Sequence, residues 1–400
     1  MNVYRTREGL GHAFRDVLNF HYPDCIDTRF GGYIAQIDER DGHVYDGRTR
    51  HLVATARGVN NFAIGVLADG PPWCRYAAEH GLRFLSTVHW DSEDDGYDWL
   101  LDGREPVERT RYCYGHAFAL LAGARALQAG VPGARTELDR AFSVLEERFW
   151  EPEHGLYADR ASPDWTDRSP YRGANANMHT FEALLAAGEA TGEERFFDRA
   201  YAVADRFTRD LATDGDGLLW EHYTVSWEPD FSYNEDRPRD RFRPPGYQPG
   251  HHAEWAKLLL VLAEHREEDW LVPRALELFD AAVDLGWDDE HGGLCYTVEA
   301  SGDPIVADKY GWVHAEAIGA SALLAAHDDS YLRWYDRLWA YARQHLVDPG
   351  TGNWYERCTR EGAYDGPNRG PAVEPGYHPA TNCWLAMGAL EGAPTGFEPT

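Results

Sequence analysis

The feature that most constrains the fold is a short pattern that recurs six times along the 400 residues. Each copy is a polar or acidic turn with one or two glycines, followed by an aromatic or aliphatic residue. The intervals between the first glycines are 65, 59, 62, 75 and 60 residues. A repeat of this length indicates one supersecondary unit used several times. The six copies are Gly31-Gly32-Tyr33, Gly96-Tyr97, Gly155-Leu156-Tyr157, Gly217-Leu218-Leu219-Trp220, Gly292-Gly293-Leu294 and Gly352-Asn353-Trp354.

Apolar residues three and four apart predict two helices in each unit. Some first helices, such as 117–126, are rich in Ala and Leu nearly all round, so we expect them to be buried. Six inner and six outer helices predict an all-α fold, an (α/α)6 barrel with short β-hairpins in the loops on one face, as one domain over 1–400. An open helical solenoid is the alternative. The predicted pairs are 51–67 with 73–85, 112–127 with 134–149, 179–190 with 194–211, 252–265 with 270–285, and 312–327 with 331–345, completed by 10–20 and 379–390.

The formal net charge of −29 argues against nucleic acid and anionic membranes as partners. Lys257 and Lys309 are the only lysines, and Arg supplies every other basic residue. An acidic, Arg-rich surface favours a halophilic protein, because salt screens its self-repulsion; an Arg-rich composition without halophily is the alternative. The N-terminal stretch carries charges throughout, and we find no signal peptide or membrane span. We therefore expect a cytoplasmic protein.

Composition and motifs also limit the cofactors. The six cysteines form no CxxC pair, and the sequence has no HExxH, no P-loop and no GxGxxG after a strand. We therefore expect neither a metal nor a nucleotide cofactor. The 15 Trp and 22 Tyr favour a groove for a small-molecule sugar, although such rings also fill cores. Whether the chain is a monomer or a homo-oligomer stays open.

Polar residues lie where the predicted inner helices begin, and in a barrel these positions converge on the axis. Three histidines at equivalent repeat positions are the catalytic candidates: His179, His251 and His378. A carboxylate one turn from an imidazole can fix its tautomer, as His179 with Glu182 or His251 with Glu254. The candidates for substrate binding are Arg57, Tyr114, Asn175, Arg243, Glu254, Trp312, Glu316, Trp354 and Glu374.

Arg57 lies within an otherwise uncharged helical stretch, where a guanidinium is costly to bury without a partner. An anionic or hydroxyl-rich ligand would satisfy it. A structural partner such as Glu254 or Glu316 is the alternative explanation.

At these residues the chain resembles the N-acylglucosamine 2-epimerase superfamily, which includes cellobiose 2-epimerases and mannose or aldose–ketose isomerases. The resemblance implies an (α/α)6 barrel and cofactor-free proton transfer on a free reducing sugar. His251 and His378 would be the acid–base pair, and Arg57, Tyr114, Asn175, His179, Glu254, Trp312 and Glu316 would bind sugar or orient the histidines. The motifs that carry it are Pro249-Gly250-His251-His252-Ala253-Glu254-Trp255, 175–183 (NANMHTFEA), 114–118 (YGHAF), 309–316 (KYGWVHAE), 376–379 (GYHP) and Arg57.

Three departures from the family pattern concern the substrate more than the chemistry. Ala380-Thr381 replaces an Arg that the family carries shortly after the last histidine. Glu374 stands where relatives often have Lys or Gln, and Gly311 replaces the first Trp of its motif.

The predicted function is aldose–ketose isomerisation of a sugar such as mannose, by histidine acid–base chemistry through a cis-enediolate. A 2-epimerase of the mannose–glucose, cellobiose or N-acylglucosamine type is the alternative, because the same intermediate can be reprotonated at C2. A glycoside hydrolase using Glu254 and Glu316 and a non-catalytic sugar-binding protein are the further alternatives. Arg57 and Arg243 could also hold an anionic group of the substrate.

Overall fold

The computed structural model describes residues 3–212, 217–240, 242–366 and 372–391, and this part of the chain is mainly helical. Its α-helices are α1 Arg7–His21, α2 Leu52–Leu67, α3 Trp73–Phe84, α4 Cys113–Gln128, α5 Ala134–Val144, α6 Ala174–Thr191, α7 Glu194–Asp205, α8 Pro249–Ala263, α9 Leu271–Gly286, α10 Gly311–Leu324, α11 Leu332–His345 and α12 Tyr377–Ala389. Short 3₁₀ helices cover Val3–Arg5 and Asp329–Tyr331. Every predicted helical stretch is therefore confirmed, with shifted ends.

Three outer helices end differently from the prediction. The stretches 73–85, 134–149 and 194–211 are expected as single helices, but each closes with a π turn. A π turn is wider than an α turn and is rare outside single-turn insertions. In the first two cases it leads directly into a hairpin strand. The π turns are Leu85–His89, Leu145–Phe149 and Arg206–Asp210.

The strands are two to four residues long and lie in the loops between helices. They are β1 Gln36–Ile37, β2 Val44–Asp46, β3 Thr49–His51, β4 Trp90–Asp91, β5 Gly96–Tyr97, β6 Leu100–Asp102, β7 Glu105–Glu108, β8 Arg111–Tyr112, β9 Trp150–Glu151, β10 Leu156–Tyr157, β11 Arg160–Ala161, β12 Arg172–Gly173, β13 His222–Tyr223, β14 Thr297–Val298, β15 Pro304–Val306, β16 Lys309–Tyr310 and β17 Arg357–Cys358. β4 pairs antiparallel with β5, and β9 pairs with β10, across a Gly turn. The expected short hairpins are therefore present.

The chain forms two compact units. Among the described residues, the first unit comprises 18–203 and 372–377, and the second comprises 3–17, the described part of 204–366, and 378–391. In the first unit α2, α4 and α6 pack side by side, with α3 against α2 and α5 against α4. In the second unit α8 packs on α10, with α9 against α8 and α11 against α10.

Burial separates the two kinds of helix, as the apolar patterns predict. Every residue of α2 from Leu52 to Gly65 and of α8 from Pro249 to Leu262 is buried. The outer helix α9 buries only one face, including Ala275, Leu278 and Ala282. In the part of the chain that the structure describes, no helix is long and apolar enough to span a bilayer.

The Gly turns have the backbone that their sequence predicts. Five of the six copies place a glycine at positive φ, for example +70° at Gly155 and +74° at Gly352. In the second copy Asp95 takes the left-handed position, with φ +52°, so Gly96 does not need it. Glycine adopts this conformation without the steric cost that a Cβ brings, which explains its recurrence.

Three buried histidines tie an inner helix to the turn before it, and we call them the bridging histidines: His116, His252 and His314. The Nδ1 of each bonds a carbonyl four residues earlier, at 2.7–2.9 Å. Each Nε2 accepts a backbone N–H that follows a Gly turn, from Tyr97, Leu219 and Leu294 respectively. Asn177 makes the equivalent bonds to Tyr157 and Gly173 with its amide. These residues therefore stabilise the repeat.

The bridging histidines make folding stability depend on pH. Burial lowers the pKa of His252 to about 4 and the pKa values of His116 and His314 to about 3. A lowered folded pKa means that the unfolded chain binds the proton more tightly. The bridging histidines therefore contribute their full stabilisation above about pH 6.5, the pKa of histidine in the unfolded chain. This contribution is lost as the pH falls towards the pKa of each histidine in the folded protein.

We expect the free energy of unfolding to fall by up to about 1.4 kcal/mol per pH unit for each bridging histidine below pH ~6.5. Urea unfolding at pH 7.5, 6.5 and 5.5 measures this slope. The His116→Asn variant keeps the bridging geometry that Asn177 already shows, but it does not titrate. Its slope should be shallower than that of the unmutated protein. Equal slopes would show that His116 binds a proton as readily in the folded protein as in the unfolded chain.

Candidate active site

Hydrogen bonds and ring contacts join Arg57 and five side chains around it in the first unit, and we call this set the arginine cluster. Arg57 lies in the second turn of the buried helix α2 and is 3% exposed. Its Nη1 donates to Glu374 Oε2 at 2.8 Å and to the Val373 carbonyl at 3.0 Å, and its Nη2 donates to Tyr114 Oη at 3.1 Å. The members of the cluster are Arg57, Tyr114, His179, Glu182, Glu374 and Tyr377.

The guanidinium of Arg57 is also packed between aromatic rings. Its central carbon lies 4.4 Å from the Phe118 ring and 4.7 Å from the Tyr377 ring. Weakly hydrated and planar, a guanidinium tolerates such a site better than an ammonium would. The expected partners Glu254 and Glu316 are not the ones that the structure shows. Glu374 is the counter-ion.

His179 is anchored by a carboxylate from its own helix. Its Nδ1 lies 3.0 Å from Glu182 Oε2, so the predicted pairing across one turn of α6 is confirmed. The Tyr377 hydroxyl donates to the other oxygen of Glu182. The His179 ring packs against Tyr114 and Phe118. The imidazole is thus fixed in orientation by bonds and by contacts.

The second unit holds five of the predicted residues within what we call the histidine cluster, whose members are Glu221, His251, Glu254, Lys257, Trp312, Glu316, His378 and Asn382. Two of its histidines lie against the same indole. The ring centroid of Trp312 is 5.2 Å from that of His251 and 5.6 Å from that of His378. His251 is the third residue of α8 and His378 the second of α12, so both lie where a helix begins, as predicted.

Each of these histidines bonds a buried carboxylate through Nδ1. The His251 Nδ1 lies 2.9 Å from Glu221 Oε2, and the His378 Nδ1 lies 2.6 Å from Glu316 Oε1. A carboxylate on Nδ1 fixes the tautomer and leaves Nε2 as the atom that exchanges a proton. The expected pairing of His251 with Glu254 is wrong, because Glu221 takes that place. The bond between His378 and Glu316 was not predicted from the sequence, which gave Glu316 only as a residue that binds sugar or orients a histidine.

Lys257 connects the carboxylates of this cluster. Its Nζ donates to Glu316 Oε2 at 2.5 Å and lies 3.9 Å from Glu254 Oε1. Donor atoms of Glu254, Glu316 and His378 lie within 4.8 Å of one another, a spacing that would suit a cation. The Lys257 ammonium already provides one there. Burial raises the pKa of the Glu316 carboxyl, but Lys257 and the hydrogen bond to His378 outweigh it and hold the pKa well below its usual value.

Three predicted residues have other surroundings. Arg243 lies in the loop before α8, and its Nη1 donates to Tyr233 Oη at 3.3 Å. Trp354 packs against Trp339 of the outer helix α11 and is 8% exposed. Asn175 is the second residue of α6, and its buried side-chain oxygen has no hydrogen-bond partner among the described residues.

The structure also explains the missing Trp at position 311. A Cβ on Gly311 would lie 2.4 Å from the carbonyl oxygen of Tyr355, closer than any real contact. The Gly311 N–H in turn donates to the Glu356 carbonyl. Because residues 355–356, just before β17, run directly against the start of α10, a side chain on residue 311 would clash with them.

Four members of the two clusters were missed from the sequence as site residues: Glu221, Lys257, Tyr377 and Asn382. A signal existed for two of them. Glu221 follows the fourth Gly turn directly, and Lys257 is one of only two lysines in the chain. Tyr377 lies in the motif 376–379, and Asn382 lies on the predicted helix that begins near His378.

The family follows from comparison with known proteins. The model of the N-acylglucosamine 2-epimerase (GlcNAc 2-epimerase) family matches residues 32–381. The chain belongs to this family. It is 41% identical over 376 residues to a D-mannose isomerase of Marinomonas mediterranea, covering 93% of this chain and 95% of the relative. A D-mannose isomerase of Thermobifida fusca is 40% identical over 311 residues, covering 76% of each chain.

A solved structure agrees with these relatives. A crystal structure of D-mannose isomerase superposes with a TM-score of 0.92 at 39% identity, covering 96% of this chain and 98% of that one. The predictions of an all-α (α/α)6-barrel fold class and of an isomerase enzyme are thereby confirmed.

Proposed function

We propose that the protein interconverts D-mannose and D-fructose. The observation that carries the proposal is the pair His251 and His378, both held at Nδ1 by carboxylates and both lying against Trp312. An indole offers a face on which a sugar ring or its open chain can lie. The names of the relatives, D-mannose isomerase in each case, supply the substrate.

The proposed reaction is a proton transfer between neighbouring carbons. After a histidine assists ring opening, the Nε2 of one imidazole removes the C2 proton, which the C1 carbonyl makes acidic. The electron pair of that bond forms the C1–C2 double bond, and the negative charge moves to O1, giving the cis-enediolate. The imidazolium returns the proton to C1 while the proton on O2 passes to O1. Mannose thus becomes fructose without an external oxidant or cofactor.

We assign Arg57 to stabilising the enediolate, where negative charge develops in the transition state. A buried guanidinium is suited to this role, because its charge acts in a low-dielectric setting and its position is fixed by Glu374 and Val373. Tyr114, Asn175, His179, Glu254, Trp312 and Glu316 bind the sugar or orient the histidines in the same proposal.

Proton NMR of the purified protein with D-mannose in D2O tests the proposal. We expect fructose that carries deuterium at C1, because the imidazolium exchanges with solvent before it returns the proton. Glucose labelled at C2 with little fructose would instead establish a 2-epimerase. Unlabelled mannose, with no product, would contradict both.

The 2-epimerase alternative has its own support, because two anchored histidines against one indole could serve both faces of the sugar. The hydrolase alternative has less. Glu254 and Glu316 are both fully buried, and Lys257 ion-pairs with both, which leaves neither suited to protonate a leaving group. Release of reducing ends from a disaccharide would reverse this judgement.

We further propose that residues 1–400 form one catalytic domain acting in a salt-rich cytoplasm, as a monomer or homo-oligomer that binds no nucleic acid. The continuous family match and the net charge of −29 support this. If it is correct, the thermal midpoint should rise steeply with KCl concentration, because salt screens the surface repulsion. An unchanged midpoint would contradict the halophilic part.

A further inference from the structure

The two lysines of this chain have unusual surroundings. Arg supplies every other basic residue, yet Lys257 and Lys309 are 1% and 0% exposed. Lysine is among the residues that are almost never fully buried unless paired. Each is paired here: Lys257 with Glu316 and Lys309 with Asp288. In a chain that otherwise uses Arg, a buried Lys indicates a position where a compact ammonium is required.

At Lys257 the ammonium is linked to a candidate catalytic histidine through one carboxylate. Glu316 accepts from Lys257 Nζ at Oε2, and its Oε1 bonds His378 Nδ1 at 2.6 Å and accepts from Asn382 at 2.8 Å. The side chains come from α8, α10 and α12. Glu316 is therefore shared between a positive charge on one side and an imidazole on the other.

The charges around His378 decide which form of the imidazole is favoured. Glu316 approaches it from α10 and Glu254 from α8, and both carboxylates favour the imidazolium. His251 lies across Trp312, and its own charge would oppose a second imidazolium. Lys257 opposes the carboxylates with a full positive charge at 2.5 Å from Glu316 and 3.9 Å from Glu254. Its charge thus opposes the attraction that the two buried carboxylates exert on a proton of His378.

The other histidine of the pair has no such arrangement. Glu221 bonds His251 through Oε2, and its buried Oε1 has no hydrogen-bond partner in the part of the chain that the structure describes. Both imidazoles thus bond a buried carboxylate through Nδ1. The carboxylate of His378 is also ion-paired with Lys257, and that of His251 bonds no ammonium among the described residues. The ammonium of Lys257 is therefore a feature of the His378 side of the pair.

We propose that Lys257 is a positioning residue whose ammonium, acting through Glu316, keeps His378 as a neutral imidazole that can exchange a proton with the sugar at Nε2. The proposal rests on the proposed function of His378. A residue that only filled space would influence stability but not the pH dependence of the reaction.

The first experiment uses the unaltered full chain and needs no activity. Labelling lysine with ¹⁵N at Nζ gives two signals, because the chain has two lysines. We expect the Lys257 signal to shift in one step with pH, at the same midpoint as the His378 ring signals. The step should vanish in His378→Asn, while the Lys309 signal is unchanged. A Lys257 signal that shows no step dependent on His378 would overturn the proposal.

The second experiment measures the pH profile of kcat/KM for mannose isomerisation. In Lys257→Met the acid limb should move to higher pH by about one unit or more, as expected for removing a unit charge a few ångströms away. Lys257→Arg should restore part of the shift. Lys309→Met is the control, because it removes a buried ammonium that contacts Asp288 and Cys295. In this variant the pH of the acid limb should not change.

Each outcome separates the two proposals. A folded Lys257→Met variant, judged by circular dichroism, with the acid limb of the unmutated protein would overturn the role of Lys257. If the unmutated protein isomerises no sugar, the proposed function fails, and the NMR titration alone still decides whether Lys257 and His378 are coupled.

Discussion

Replacing His251 with Asn should lower kcat for mannose isomerisation by about 10²–10⁴-fold, the range that general acid–base groups contribute. The amide of Asn can still donate to Glu221, where the Nδ1 of His251 now bonds. The substitution therefore removes Nε2 and keeps the anchor. Because the hydrogen bond is preserved, folding stability should change little. Single-turnover kinetics with D-mannose, together with urea unfolding, measure both quantities.

The control is His43→Asn, which makes the same change at an exposed histidine. It should retain the full rate. His378→Asn provides the comparison within the site, and the double variant should lose little more than either single variant, because residues that act as a unit are not additive. A His251→Asn enzyme within threefold of the unmutated rate would exclude His251 as the acid–base group.

Replacing Arg57 with Met should reduce kcat/KM by about 10²–10³-fold, the loss that follows removal of one group stabilising an oxyanion. It should also lower the free energy of unfolding by about 3 kcal/mol, because Glu374 loses the guanidinium that neutralises it. Steady-state kinetics and urea unfolding on the same preparation separate the two effects.

Arg125→Met is the matched control. Arg125 lies near the C-terminal end of the inner helix α4, and its Nη1 bonds the buried Glu189 at 2.7 Å. Removing it takes the guanidinium away from a carboxylate, as Arg57→Met does at Glu374, so stability should fall by a similar amount. Its kcat/KM should stay near that of the unmutated protein. If both variants lose activity equally, the effect of Arg57 is structural.

The histidine partners show how far spacing along a helix can be trusted. His179 and Glu182 are three residues apart on α6 and do form the predicted bond. His251 and Glu254 have the same spacing on α8, yet His251 bonds Glu221, thirty residues earlier. Spacing tells which side chains share a helix face, but the rotamer of an imidazole depends on every acceptor within reach.

The counter-ion of Arg57 shows the same limit over a longer range. The cost of burying a guanidinium predicted that a partner must exist, and it does. The candidates from sequence were Glu254 and Glu316, whereas the structure uses Glu374, which is 317 positions away. The sequence position of a partner carries no information about proximity when the chain returns from another repeat.

The sequence by itself determined the helices, their buried faces and the Gly turns, because helical periodicity and left-handed backbone are properties of neighbouring residues. It also located His251 and His378 at helix starts, since glycine and proline mark such positions locally. Only the tertiary structure decided which carboxylates hold His251 and His378 and that Lys257 ion-pairs with Glu316. Those contacts join residues from different helices and loops, and their energies depend on distance and burial, which appear only once the chain has folded.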